Sequence, residues 1–205
     1  MDPLSEKEAN MEAIKRRDLF IMLTMEDRIY TIADIEALPE GQRAELIDGK
    51  MYMMASPSLN HQDILVWLTA EIYNFIRARK GKCKVLPAPF GVFIKKDDRN
   101  YFEPDISVIC NRDRLDQKGC HGAPDWVVEI VSPSSRKMDY VRKLPVYKEA
   151  GVSEYWIVDY DKQVISVYYL QESDIPVTYT FQDTIRSRTY EDLAIDFSQL
   201  EEYME

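Results

Sequence analysis

The chain has 205 residues, 45% of them hydrophobic, which suits one domain built on one sizeable core. Its net charge of −10 excludes nucleic-acid binding by bulk electrostatics alone, and no apolar run reaches the roughly 18 residues of a membrane span. The charged N-terminus lacks the apolar stretch of a secretory signal, so a cytoplasmic protein without a membrane partner is expected.

Residues 1–20 are polar and read as a flexible N-terminal extension, with residues 21–205 forming a single domain. Thr31 and Asp34 form a capping pair for a short helix that Pro39 and Gly41 end. From Ala44 to Ala55 the pattern is a hairpin, turned at Asp48-Gly49. Ser58 caps the longest helix, whose core stripe is Ile64, Leu65, Leu68, Ile72, Phe75 and Ile76 and which ends near Gly81. Strand-like runs follow at 85–94, 102–110 and 126–131, the first two joined by a polar turn and the last two by the loop 111–124. A polar stretch, 132–139, leads into a helix toward Gly151, with Pro145 predicting a kink or two abutting pieces. Further strands are expected at 154–158, 164–170 and 177–181, which completes a mixed α/β domain. Trp67, Trp126 and Trp156 read as core, and Ser56 and Ser132 as turn or capping groups.

The three cysteines are odd in number and lack paired spacing, so no disulfide framework is expected. Cys110 reads as strand core and Cys83 and Cys120 as loop residues. A zinc shared by Cys110, Cys120 and His121 is set aside, because the spacing matches no structural site.

The chemistry concentrates in Asp105, at the head of one apolar run, and Glu129, inside another. Carboxylates are costly inside buried strands unless they are paired or bind a cation. Alternation puts Glu129 and Val131 on one strand face and Val128 and Ile130 on the other. Two acids on neighbouring strands suit Mg²⁺, and a nearby lysine makes phosphodiester hydrolysis the leading chemistry. The competing reading is a salt-bridged pair with no cation.

The segments AELIDG, SPS-x-x-H, PDISV, PDWVVEIVSPSS, D-x-x-x-K-x-x-x-Y and AGVSEYWIVD occur here in this order. Together they resemble the Uma-two group of restriction endonucleases, within the PD-(D/E)XK or restriction-endonuclease-like nuclease superfamily. The resemblance covers residues from about 27 to 170 and implies a restriction-endonuclease-like central mixed β-sheet flanked by helices, with antiparallel hairpins added. It further implies Mg²⁺-dependent cleavage of DNA, with Mn²⁺ as a substitute metal. Asp105, Glu129 and the Ile130 carbonyl would hold the metal, and Glu45 would be a further catalytic acid.

The wider superfamily carries its lysine two residues after the glutamate, and here that residue is Val131. Lys143 on the following helix is the natural substitute, with Asp139 and Tyr147 one turn to either side. The plain alternative is a surface lysine paired with Asp139. His61 is an auxiliary candidate, with capping or packing as its other reading. Two basic segments are candidate DNA contacts: Arg77, Arg79, Lys80, Lys82 and Lys84, and then Arg136 and Lys137. The final stretch from Asp183 to Glu205, with seven acids against two arginines, reads as an acidic tail. A homodimer is expected, with the strands after Glu154 and the tyrosines Tyr168 and Tyr169 as the first candidates for its surface. Two further readings stand beside the enzyme: an inactive nuclease-fold module that binds nucleic acid or protein, and a structural dimer whose acids form only an ion-pair network.

Overall fold

The computed structural model describes residues 28–204, so the extension expected over residues 1–20 lies outside it. Thr31 opens α1 (Ile32–Glu36), with the Asp34 carboxylate accepting the Thr31 N–H at 2.8 Å. Strands β1 (Ala44–Ile47) and β2 (Lys50–Met53) pair across Asp48 and Gly49, whose φ angles of 49° and 77° are those of a tight hairpin turn. Ser58 accepts the His61 N–H at 3.3 Å and starts α2 (Leu59–Ala78).

The core is a six-stranded sheet in the order β10-β9-β8-β7-β5-β3. Its members are β3 (Lys84–Pro87), β5 (Ile106–Ile109), β7 (Trp126–Val131), β8 (Glu154–Asp159), β9 (Val164–Tyr169) and β10 (Val177–Thr180). All neighbours run antiparallel except β7 and β8, which are parallel and therefore need a crossover between them. That crossover is helical: Met138–Lys143 winds as a π-helix and α3 (Leu144–Ala150) follows, closed by Gly151 at φ 96°. Pro145 cannot return a hydrogen bond to the Val141 carbonyl, which fits the change of winding just before it.

The runs around the sheet are shorter than their sequence suggests. β3 stops at Pro87, since prolines 87 and 89 cannot donate to a ladder. β4 (Val92–Phe93) leaves the main sheet and pairs in parallel with β6 (Cys120–His121), which arises within the expected loop 111–124. The stretch 102–110 likewise contributes only Ile106–Ile109.

Two apolar clusters share this sheet. On one face Ile64, Leu68, Ile72 and Ile76 of α2 cover Trp126, Val128, Ile130, Trp156 and Val158. On the other, Val146 and Tyr147 of α3 pack with Val127, Val131, Tyr155 and Ile157. All three tryptophans are buried.

Three expectations are corrected. The acidic C-terminal stretch is not a tail: β11 (Thr184–Arg186) and β12 (Ala194–Asp196) form a hairpin, and α4 (Ser198–Met204) follows it. None of its described acids is buried, while Ile185, Leu193, Ile195, Phe197 and Leu200 complete the core over α2. Cys83 and Cys110 are disulfide-bonded; continuing the Lys84–Ile109 register by one residue sets them opposite each other. Cys120 is buried in β6, and His121 pairs with Asp116 at 2.9 Å. Finally, Tyr168 is buried and Tyr169 lies half-buried beneath the Arg188 guanidinium, so these two rings are not open surface, whereas β10, among the strands after Glu154, is an exposed edge of the sheet.

Phe197 contacts Trp67, Trp156 and Phe181 with ring centroids 5.5–6.2 Å apart. Phe197→Ala should therefore lower the unfolding free energy by about 3–5 kcal/mol in a urea titration. A loss below about 1 kcal/mol would mean that the C-terminal segment merely drapes over the domain.

Candidate active site

The β5–β7 register pairs Ile106 with Val128, and one further step along it sets Asp105 opposite Glu129. Side-chain alternation then puts both acids on the α3 face of the sheet. Asp105 lies where β5 has run out, and its Oδ2 accepts the Ile130 N–H at 2.7 Å in place of a ladder carbonyl. In a strand, the N–H and C=O of one residue leave on the same side. The Ile130 carbonyl thus emerges toward Asp105.

Lys143 joins these strands to the crossover. Its Nζ lies 3.0 Å from Glu129 Oε1, 2.9 Å from Glu45 Oε2 and 3.3 Å from Asp139 Oδ1. Tyr147 donates to the same Glu129 oxygen at 2.7 Å. Glu45, on β1, is held from its other side by the Glu103 N–H at 3.0 Å. The Tyr155 hydroxyl donates to the Asp139 carbonyl at 3.1 Å and ties the π-helix to β8. Lys143 is only 5% exposed, so the reading of a surface lysine paired with Asp139 alone is set aside.

Three buried carboxylates thus share one ammonium. Burial raises Glu129 well above the ordinary carboxylate range; Lys143 opposes this, while Asp139, Asp105 and Glu45 add to it. Burial likewise raises Glu45 and Asp139, again against the pull of Lys143. For Lys143 burial acts downward, but Glu129, Glu45 and Asp139 overcome it and hold its pKa well above the ordinary lysine value. The cluster is a fixed cation surrounded by surplus acid.

The open side of the site is at Asp105 and His61, which are 14% and 16% exposed. His61 Nε2 stands 3.2 Å from Asp105 Oδ1, and its buried Nδ1 has no hydrogen-bond partner among the described residues. Its backbone N–H serves the cap of α2 while its ring faces the acids, so the capping and functional readings apply to different atoms.

The basic segments are placed differently from each other. Arg136 is bound to Asp159 at 2.5 Å and to Asp161 at 2.8 Å, so its charge is already neutralised within the protein. Lys137 is exposed in the link after β7. Arg77 lies 16 residues beyond His61 on α2, about 24 Å at the helical rise, so the Arg77–Lys84 segment stands far from Asp105.

Among the described residues, no three His, Cys, Asp or Glu side chains form a ready cation cage. Asp105, Glu129 and the Ile130 carbonyl are a smaller set. It suits Mg²⁺, which keeps several waters and takes few protein ligands. The surplus of buried acid over Lys143 is the electrostatic complement of a divalent cation.

A family model described as "Putative restriction endonuclease" matches residues 32–198, which contain every one of these side chains. The chain belongs to the Uma2 family. The chain is also similar to "Uncharacterized protein slr1290" of Synechocystis sp. (strain ATCC 27184 / PCC 6803 / Kazusa), 30% identical over 131 residues. That match covers 62% of this chain and 66% of the relative, just under two thirds of its length. A crystal structure titled as a "putative nuclease belonging to DUF820" from Anabaena variabilis ATCC 29413 superposes with TM-score 0.70. It covers 85% of this chain and 99% of that one at 20% identity, a likeness of fold.

Within this Uma2 chain, the support given by the Glu103 N–H and the Tyr155 hydroxyl carries no sequence signal. Both depend on which backbone or ring passes the cluster in three dimensions.

Lys143→Met should destabilise the protein by about 3–5 kcal/mol near pH 8, because it leaves buried carboxylates without their cation. Acids whose folded pKa is raised favour the folded state at low pH, and that advantage is lost as pH rises toward their folded values. The deficit of the variant should therefore be smaller at about pH 5 than near pH 8, because lower pH favours the protonated acids, while Lys143 in the wild type stays charged at both. Urea titrations at the two pH values check this, and a pH-independent deficit would refute it.

Proposed function

We propose that this chain is a Mg²⁺-dependent endonuclease that hydrolyses phosphodiester bonds of DNA, with Mn²⁺ able to replace Mg²⁺. One observation carries the reading: Asp105, Glu129 and Lys143 converge from two strands and a helix, beside surplus buried acid that one lysine cannot balance. Asp105, Glu129 and the Ile130 carbonyl would hold the metal, which when bound lowers the pKa of a water and offsets charge on phosphate oxygens.

The chain's own groups supply the rest. Lys143, kept charged by Glu45, Glu129 and Asp139, places a positive charge beside the acids, where charge develops on the phosphate. Tyr147 and Lys143 both bind Glu129 Oε1 and so fix the orientation of that carboxylate. Glu45 acts through Lys143, as a positioning acid rather than a ligand. His61, at the open side against Asp105, would meet the substrate phosphate. Cutting both strands is simplest with two sites related by a twofold axis, and a homodimer is part of this proposal.

The three ion pairs of Lys143 also favour a second reading, in which the cluster is a self-sufficient structural network in a binding module without catalysis. Cleavage assays on plasmid and linear DNA with Mg²⁺, Mn²⁺ or EDTA separate the two. The enzyme reading expects metal-dependent cutting that Asp105→Asn and Glu129→Gln abolish. Lys143→Ala should cost on the order of 10²-fold in rate, with metal affinity level or higher because a neighbouring positive charge is gone. DNA left intact by the folded wild-type chain under every metal condition would favour the structural network.

A further inference from the structure

Charge is distributed unevenly over this acidic chain. Arg77 and Arg79 at the end of α2, Lys80 and Lys82 in the following link, Lys84 at the head of β3 and Arg112 beyond β5 gather at one end of the molecule. The β3–β5 register sets Lys84 opposite Ile109, so this end of the ladder is the one remote from Asp105. Arg112 Nε donates to the Lys82 carbonyl at 2.7 Å and holds the two segments together. All six cations are exposed. Among the described residues the one carboxylate in ion-pair reach of any of them is Asp192, 3.7 Å from Arg79. Arg136, by contrast, is fully engaged by Asp159 and Asp161.

The outer face of α2 connects this end with the site. Its exposed positions between them are Asn60, Gln62, Val66, Ala70, Tyr73 and Asn74, none acidic; half-buried Asp63 lies among them, at the helical angle between Ala70 and Asn74, and half-buried Glu71 lies at their edge. In a chain with 36 acids, a strip that has one half-buried carboxylate, Asp63, and runs along α2 from its first turn, where His61 meets Asp105, to six cations is a route a polyanion can follow.

We infer that these cations form a second phosphate-binding surface, which grips the substrate duplex away from the bond being cut, with α2 lying along the DNA. The separation sets the spacing: about 24 Å along α2 corresponds to about seven base pairs at 3.4 Å each. The surface positions the duplex without reading its bases. It also explains how a chain of net charge −10 retains a polyanion, since local cations offset the long-range repulsion. This inference rests on the DNA-cleaving reading above and adds a place of contact to it.

The test reverses three exposed charges in the full chain, Lys80→Glu, Lys82→Glu and Lys84→Glu, with Lys→Gln at the same positions as a milder second variant. Two labelled duplexes are compared, one of about 30 base pairs that spans site and patch, and one of about 8 base pairs scored only for cuts at its centre, from which it extends about 14 Å to either side and stops short of the patch. On the long duplex the reversal should raise KM about tenfold, leave kcat unchanged and flatten the log–log salt slope by about three. On the short duplex it should change nothing, and the Gln variant should move in the same direction by less. Equal KM and salt slope for wild type and both variants on the long duplex would overturn the inference, as would an equal loss on both lengths. Fluorescence anisotropy on the long duplex separates this result from the nuclease reading. Tenfold weaker binding by the variant without any cleavage keeps the surface and refutes the enzyme. Equal binding refutes the surface whether or not the DNA is cut.

Discussion

The structure depends on one buried ammonium. Lys143 bridges Glu45 from the β1–β2 hairpin, Glu129 from the middle of the sheet and Asp139 from its own helix. Each of these acids would be expensive to bury alone, and each is kept partly in place by the same cation. The lysine therefore joins three separately folded elements at one point. Because the acids outnumber it, it also leaves that point short of positive charge.

The topology explains why the lysine comes from a helix. β7 and β8 are parallel, so the chain must cross the sheet between them, and the crossover lies on the face that carries Glu129. A lysine on the crossover reaches down to the glutamate with its long stem, and the strand position two residues after Glu129 is left for core packing by Val131. The π-helical turn before Pro145 brings Asp139, Lys143 and Tyr147 to one side despite the proline. Among the described residues the opposite face carries one buried carboxylate, Glu154, held by neutral donors from Trp156, Ser187 and Thr189 and with no cation beside it. There α2 and the C-terminal hairpin and helix build an apolar layer, and α2 presents only its first turn, at His61, to the site.

Electrostatics divides the molecule along α2. At the N-terminal end of this helix stand the acids, shielded from solvent and short of cations; at its C-terminal end stand exposed cations with few acids near them. Bulk charge conceals this arrangement, because the net value of −10 sums over surfaces that face different ways.

The sequence by itself determined the elements with strong local chemistry. Asp48-Gly49 specified its hairpin, Ser58 its helix start, and the alternation around Glu129 its strand face, since each depends on neighbours a few residues away. The ordered acidic and lysine segments likewise marked Glu45, Asp105, Glu129 and Lys143 before any of them could be seen together. Tertiary structure decided the rest. It paired Cys83 with Cys110 across 27 residues, a matter of strand register that no cysteine spacing signals. It folded the acidic C-terminal stretch onto α2, because one apolar side of a hairpin outweighs the charge on the other. It separated Arg136 from the basic end of α2 by giving it Asp159 and Asp161 as partners. Above all it buried Lys143, which the sequence marked as a candidate without showing what would surround it. Burial is a property of what packs around a residue, and those neighbours come from parts of the chain more than ninety positions apart, from Glu45 to Lys143.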